Sequence, residues 1–519
     1  LITKFTGAIF VFPNGQTQTE LFTESGLVVK DQPFDTEINL GGGFVFPAFR
    51  DGHCHPLFAG READGPLVSK AKSIQEIQKV LSDYKKSNPN RSWIEGGAYD
   101  RSIIADGRFL ASWIDEVVSE VPVVLHASDH HTIWVNSKAL ELIGERLPKL
   151  ASGSVDQDPT GTPTGVLREP EAMALVLDKA PIRTLEQEMS ALIWADKQLA
   201  SLGIVFAQDA WITKGMTDVY IEAVQQEELL LDYNLAFKIE PASWQQSIDS
   251  AVAERAKVTD LANSSLSAKT VKFFADGVFG SSTASVLEPY LDDASFGEPL
   301  WSKQDLNAAC LKAQELGFQL HIHAIGDAGV RQSLDAIEFV QSKLGVPTIP
   351  NVIAHAELID DKDLNRFAEL SVIANMQPLW AQADGMLMSC QPRLGSKRLD
   401  SLYRMRDLVD SGAVISFGSD WPVSSADPLL GIATSVTRQT ADGEPSGGWM
   451  ANQSLVVREA LDNYSAKVVL QIYGSQESPL SIGSDCDFLV LSGNILTSPG
   501  NDIRSLKVLA TYKSAKRIY

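Results

Sequence analysis

The sequence predicts an α/β protein, a (β/α)8 TIM barrel with a small β-sandwich domain built from both chain ends and an inserted α/β lid domain. Three observations lead there. Eight apolar, strand-like runs alternate with amphipathic helices through the middle of the 519-residue chain. The two ends share a texture of short alternating strands broken by turn residues. Between the first and second barrel runs lies a segment far too long for a single crossover.

Taken in order, the elements justify this. Gly7 to Phe12, Thr17 to Phe22 and Gly26 to Lys30 alternate apolar and polar residues around turns at Pro13-Asn14-Gly15 and Glu24-Ser25-Gly26, as strands of a small sheet do. The same texture returns in Asp487 to Leu491 and Ser505 to Tyr512, after a helical segment from Leu455 to Tyr473. Residues 1–48 and 430–519 are therefore assigned to one composite sheet domain. Barrel strands are expected at Gly43 to Phe49, Gly203 to Gln208, Tyr233 to Ile239, Thr270 to Ala275, Phe318 to His323, Asn351 to His355, Ser371 to Met376 and Ala413 to Phe417. Thr184 to Ser201, Ser302 to Leu316 and Ala328 to Leu344 carry apolar residues at helical spacing between them. The barrel is assigned residues 49–66 and 183–429. Lys70 to Lys179 holds helices, strands and a Gly/Pro/Thr-rich turn region of its own, so residues 67–182 are assigned to the lid. No internal repeat is present, which argues against a solenoid.

Composition narrows the function classes. Hydrophobic residues make up 44% and charged residues 21%, ordinary globular usage. A net charge of −22 and a pI near 4.8 oppose binding to phosphate backbones or anionic lipid, so neither nucleic acid nor membrane is expected as a partner. Cys54, Cys310, Cys390 and Cys486 form no C-x-x-C pair, and reduced thiols are the default. There is no apolar run of bilayer-spanning length, and the first ten residues lack the layout of an export signal. A cytoplasmic protein is the expectation; because the chain starts at Leu1, a removed leader leaves a periplasmic or secreted location open.

The chemistry lies in the 8 histidines, several of which fall just beyond expected strands, where barrel enzymes place their working groups. Asp51-Gly52-His53-Cys54-His55 sets two imidazoles one residue apart, and in extended backbone both project to the same side. His321 and His323 end the fifth run, His355 ends the sixth, and Asp420 follows the eighth. Imidazoles and a carboxylate are standard donors for catalytic zinc, manganese or iron. Any one histidine read alone is a structural residue; the joint pattern points to a metal. Lys272 sits in the apolar strand V-K-F-F-A-D-G, where burial disfavours its charge. It is read either as a snorkelling or Asp276-paired lysine, or as a neutral amine that reacts with carbon dioxide to form a carbamate.

This pattern resembles the amidohydrolase superfamily, in its amidohydrolase-3 (YtcJ-like) branch, over nearly the whole chain. Further matching pieces are Asp129-His130-His131 with Asn136-Ser137, Gly165-Val166-Leu167-Arg168-Glu169, the Asp276-Gly277 loop, His323-Ala324-Ile325-Gly326-Asp327 and Ser419-Asp420-Trp421-Pro422. The resemblance implies one or two divalent ions, zinc foremost. His53, His55 and Asp420 would hold one, His323 and His355 a second, and N6-carboxylated Lys272 would bridge them. It also implies that Asp420 takes a proton from metal-activated water and passes it to a leaving amine. His131, Glu169, Asp276, Gln377 and Trp421 are implied substrate contacts; the alternatives are a satisfied surface histidine for His131, structural roles for Glu169 and Gln377, orientation of Lys272 for Asp276 and core packing for Trp421. His321 is read as packing or support, Trp134 as a pocket wall or core residue, and Cys54 as small filler. The opening motif P-G-F-x-D-x-H-x-H is met with Ala48 in place of glycine, which leaves the ligands intact.

The expected activity is hydrolysis of a linear N-acyl or N-formyl C–N bond in a small-molecule amide. The alternatives are a mononuclear deaminase, which needs no carbamate at Lys272, and a catalytically silent barrel binding protein. Oligomeric state is left open, a homodimer included.

Overall fold

The computed structural model describes residues 1–104, 107–128, 130–144, 146–150, 153–476 and 478–519. Asp129, quoted above beside His130 and His131, lies outside them. The chain divides into two compact units: Leu1–His55, Asp196–Trp421 and Ser425–Tyr519 in one, Pro56–Ala195 and Pro422–Ser424 in the other. No helix among the described residues is long and apolar enough to cross a membrane.

In the first unit eight strands form one sheet in sequence order: β1 (Phe49–Cys54), β2 (Ile204–Ile212), β3 (Asp232–Lys238), β4 (Leu266–Phe274), β5 (Gln319–Ala324), β6 (Val352–His355), β7 (Ile373–Met376) and β8 (Val414–Phe417). Every pairing is parallel. Such strands are covered on both faces, which is why β2 buries every residue but Trp211 and β5, β6 and β7 bury all of theirs. The seam from β8 back to β1 is bridged where the Asp420 N–H donates to the His53 carbonyl (2.7 Å) and the Ser419 N–H to Asp51 Oδ1 (3.0 Å). Only glycine fits at 418, since a Cβ there would stand 2.6 Å from the His53 backbone nitrogen. This is the expected α/β barrel.

One expected strand is corrected. The run Gly43 to Phe49 divides: Phe44–Pro47 pairs with Ile9–Val11 and Phe488–Leu491, and the barrel strand starts only at Phe49. Adjacent residues change sheets, with the Ala48 N–H donating to the Asp487 carbonyl and the Phe49 N–H to the Gly203 carbonyl. Both sheets bury their strands, so hydrophobicity carries no mark of the handover.

The barrel interior is crossed by a polar belt. Asn234 Nδ2 donates to Gln208 Oε1 (2.6 Å) and Thr270 Oγ1 (2.8 Å), and Thr270 Oγ1 donates to Gln319 Oε1 (2.8 Å). Gln471, on the helix Ala466–Tyr473, accepts from Asn375 Nδ2 (3.1 Å) and Ser416 Oγ (2.5 Å) and donates to the Gly52 carbonyl (2.9 Å). These side chains are buried, so each unmade bond would cost about 1–3 kcal/mol. The belt thereby fixes the relative heights of β1 through β5, β7 and β8, and with them the strand ends.

The chain ends supply two further sheets. A four-stranded one runs Leu27–Val29, Leu21–Glu24, Ile2–Thr6, Thr36–Asn39, and a six-stranded one runs Lys516–Arg517, Val508–Lys513, Phe488–Leu491, Phe44–Pro47, Ile9–Val11, Thr17–Gln18. Ile2–Thr6 and Thr36–Asn39 had no counterpart among the expected strands. Phe5, Phe10, Val45, Phe488, Val490 and Tyr512 form their common core. Phe488 stacks on Tyr512 with ring centroids 4.5 Å apart.

The second unit has its own five-stranded sheet, in the order Ser154–Gln157, Pro163–Arg168, Thr132–Val135, Val123–Ala127, Ile94–Tyr99. Its helix Ile74–Ser87 begins where Ser73 Oγ caps the Glu76 N–H (3.2 Å), and Ile74, Ile77 and Leu81 are its buried stripe. Trp134 is fully buried there against Tyr99 and Phe109, the core alternative of the two readings given above.

Candidate metal centre

The carboxyl ends of β1, β4, β5, β6 and β8 bring the expected ligands together in the first unit. Asp420 Oδ1 lies 3.2 Å from His53 Nε2 and 2.8 Å from His55 Nε2. Lys272 Nζ is 3.4 Å from His53 Nε2. The His355 ring is 4.9 Å from that of His53 and 4.5 Å from that of His323, centroid to centroid. Ligand atoms of His53, His355 and Asp420 all fall within 4.8 Å of one another. Two of these residues stand in left-handed backbone, His355 at φ 74° and Asp420 at φ 55°. That conformation costs a residue with a Cβ roughly 1–2 kcal/mol, and such strain gathers where a side chain must be aimed.

Burial sets the charge states. It pushes His53 well below the ordinary histidine range, with Lys272 adding to the effect, and brings His355 down to about 4. Both imidazoles are thus neutral at pH 7, with a lone pair to offer. Burial alone would raise Asp420, but the hydrogen bonds with His53 and His55 outweigh it and hold the carboxyl well below its usual value. Burial lowers Lys272 to about 7, so much of its amine is uncharged at neutral pH. Neutral nitrogens and one carboxylate converging on a dry point are the donor set of a divalent cation, and the site fits one.

His53 and His355 are each held from behind. His53 Nδ1 lies 2.8 Å from His321 Nε2, so a proton shared there leaves Nε2 of His53 facing the cluster. His355 Nδ1 lies 2.8 Å from Gln377 Oε1, an acceptor, so Nδ1 carries the proton and Nε2 the lone pair. Gln377 was expected to touch substrate; its Oε1 is bonded to His355 and its Nε2 donates to Asn375 Oδ1 (3.1 Å), tying the ligand to the polar belt. Asp276, expected to orient Lys272 or touch substrate, accepts the backbone N–H groups of Ile325 (3.0 Å), Gly326 (2.9 Å) and Ser285 (2.9 Å). It thereby joins the loops after β4 and β5, and Gly326 is required because a Cβ would stand 1.9 Å from the Ser285 carbonyl oxygen.

Asp51 went unassigned in the sequence. Its buried carboxylate accepts the N–H groups of His53 (3.1 Å) and Ser419 (3.0 Å) and the Ser419 hydroxyl (2.5 Å). Ser419 Oγ in turn accepts the Trp421 N–H (3.0 Å), and the Trp421 carbonyl accepts the His55 N–H (2.7 Å). A closed loop of bonds thus locks H-x-H against Asp420. Burial nevertheless pushes Asp51 up to about 6 against those three bonds. The signal was present, as an acid two residues before a ligand in an apolar strand. Cys54 is fully buried with its thiol pushed up by burial, which suits filler.

The remaining expected contacts, His131 and Glu169, lie in the second unit, where His131 Nδ1 is 2.8 Å from Glu169 Oε2. Glu169 is buried and has φ 67°, immediately before the helix Pro170–Leu177.

An eight-stranded parallel barrel whose strand ends gather histidines, a lysine and an aspartate defines a class of metal-dependent hydrolase fold. The sequence profile described as the amidohydrolase family matches residues 36–519, and the chain belongs to that family. It is 27% identical over 503 residues to a putative amidohydrolase, YtcJ, of Bacillus subtilis (strain 168), covering 94% of this chain and 91% of that one. It is 24% identical over 496 residues to the N-substituted formamide deformylase of Arthrobacter pascens, covering 92% and 89%. Its fold is similar to the crystal structure of an uncharacterized metal-dependent hydrolase from Pyrococcus horikoshii OT3, with a TM-score of 0.76 at 22% identity over 96% of this chain and 99% of that one.

Proposed function

We propose that the protein hydrolyses a linear amide, cleaving an N-acyl or N-formyl C–N bond, with zinc as its metal. The observation that carries this reading is Asp420, an ionised carboxylate within 3.2 Å of both imidazoles of H-x-H. His53, His55 and Asp420 would hold one ion and His323 and His355 a second, with His355 also close enough to His53 and Asp420 to serve the first. Lys272 would join them after its uncharged amine attacks carbon dioxide, releasing one proton and leaving an anionic carbamate. A bound divalent cation lowers the pKa of water and polarises a carbonyl as a Lewis acid.

The chain's own groups carry the proton. Asp420 accepts one from the attacking water at a carboxylate oxygen and delivers it to the departing amine nitrogen, so that the products are an acid and an amine. His321 and Gln377 keep the two imidazoles turned, and the dry surroundings strengthen each of these interactions. The deformylase relative acts, by its name, on N-substituted formamides, which supports an open-chain amide substrate.

Elemental analysis with intact and peptide mass spectrometry at Lys272, paired with a screen of N-formyl, N-acetyl and longer N-acyl amines, tests this. Two equivalents of metal, a carboxylated Lys272 and amine release are expected. Release of ammonia from an amino-substituted ring with one metal equivalent would place the protein among deaminases and overturn the reading.

A further inference from the structure

The ligand cluster is ringed by aromatic side chains that neither the metal nor the proton transfer requires. Trp211, next to last in β2, stands edge-on to His55, centroids 6.1 Å apart. Phe274 ends β4 and packs 4.8 Å from Trp211 and 5.0 Å from His323. Trp380, after β7, lies parallel to His355, 5.5 Å away with 3° between the planes. All three remain partly exposed. Strand alternation makes the contrast plain: neighbouring Phe273 is fully buried against Trp301, with centroids 5.5 Å apart. Large apolar rings left partly open beside a polar centre provide flat contact area at low conformational cost.

The charges nearby decide what those rings favour. Lys238 Nζ sits 5.0 Å from the Trp211 centroid and 5.9 Å from that of Phe274, and Lys272 Nζ sits 4.9 Å from Phe274. The Lys238 ammonium, which also pairs with Glu240 (2.7 Å), already occupies the cation position over Trp211 and Phe274, so a cationic substituent would find that position taken.

We propose that the substrate carries a neutral aromatic group beside its scissile bond, selected by Trp211, Phe274 and Trp380. This rests on the amide-hydrolase reading for the bond cleaved, and it adds the chemical class of what flanks that bond. The test uses the full, zinc-loaded chain and three matched N-acetyl amines bearing 2-phenylethyl, 2-cyclohexylethyl or 2-(piperidin-4-yl)ethyl groups. A second series places phenyl or cyclohexyl on the acyl side of an N-methyl amide. Dissociation constants from calorimetry and kcat/KM are both read.

In whichever series matches the side the rings serve, phenyl is expected to exceed cyclohexyl by about two- to tenfold, the range of an aromatic pair, with the cationic compound weakest. Trp211→Leu and Trp380→Leu should each bring that ratio close to one at unchanged zinc content. A ratio near one in both series, a preference for the cation, or no binding of any compound overturns the proposal. Ring preference in binding without amide turnover would overturn only the hydrolase reading; turnover without ring preference would overturn only this one.

Discussion

Gln377→Leu separates orientation from ligation. The change removes the acceptor 2.8 Å from His355 Nδ1 in a site where His355 is 2% exposed. The imidazole then has two options. It keeps its proton on Nδ1, where an unpaired buried donor costs about 1–3 kcal/mol, or it moves the proton to Nε2 and loses the lone pair aimed at the cluster. Both weaken metal binding, and groups that orient ligands in this way are worth about 10–100-fold in affinity. At about 1.4 kcal/mol per factor of ten this is about 1.4–2.8 kcal/mol, consistent with the cost of the orphaned donor. Gln377→Glu returns an acceptor and should recover most of the affinity. It also sets a carboxylate oxygen against Asn375 Oδ1, which now receives the Gln377 amide, and so should lower the melting temperature. Zinc competition against a chromophoric chelator, with thermal melts of the metal-free protein, reads both. A folded Gln377→Leu protein that binds zinc within twofold of the parent would refute this account of His355.

Three further outcomes follow from the same contacts. Asp420→Asn should retain the fold while turnover of any accepted amide falls by at least about 100-fold, the scale of general acid–base catalysis; a loss under tenfold in steady-state rate would remove the proton role. Asp51→Asn turns an NH2 group toward Ser419 Oγ, which already accepts the Trp421 N–H, and should cost about 1–2 kcal/mol in denaturant melts. An unchanged midpoint would show that the loop of bonds adds nothing. In the second unit, His126 Nε2 lies 2.9 Å from Glu95 Oε1. Burial lowers His126 but the bond to Glu95 more than offsets it, and the imidazole titrates above 6.5; burial raises Glu95 but the same bond prevails, and it titrates below 4.5. The pair is therefore complete between about pH 4.5 and 6.5, and it fades as pH climbs through the raised histidine value or drops through the lowered glutamate value. With the Glu95 side chain 38% exposed, screening holds its worth to about 1 kcal/mol or less. His126→Gln should lower the melting temperature most near pH 6 and hardly at all near pH 9, and a difference independent of pH would rule the pair out as its source.

The sequence by itself determined the barrel and the places along it where candidate ligands stand, because both are written in local patterns. Strands covered on both faces are largely apolar, so β2 through β8 stand out as runs, although β2 continues to Ile212, past the expected end at Gln208, and β4 starts at Leu266, ahead of the expected Thr270. Two histidines one residue apart in extended backbone share a side whatever the rest of the chain does, and a lysine inside V-K-F-F is conspicuous because charge is costly there. Only the tertiary structure decided which long-range partner each polar side chain meets. Gln377 reads in the sequence as a substrate contact, and only the fold shows that β6 brings His355 beside it. Asp276 reads in the sequence as a partner for Lys272 or a substrate contact, and only the fold shows the N–H groups of the β5 loop that it accepts. Asp51 becomes intelligible only when β8 returns to β1, 368 residues away in the Ser419 bond. The handover between Pro47 and Phe49 was hidden for the same reason: hydrophobicity records that a residue is buried, while hydrogen-bond pairing depends on which distant backbone lies alongside.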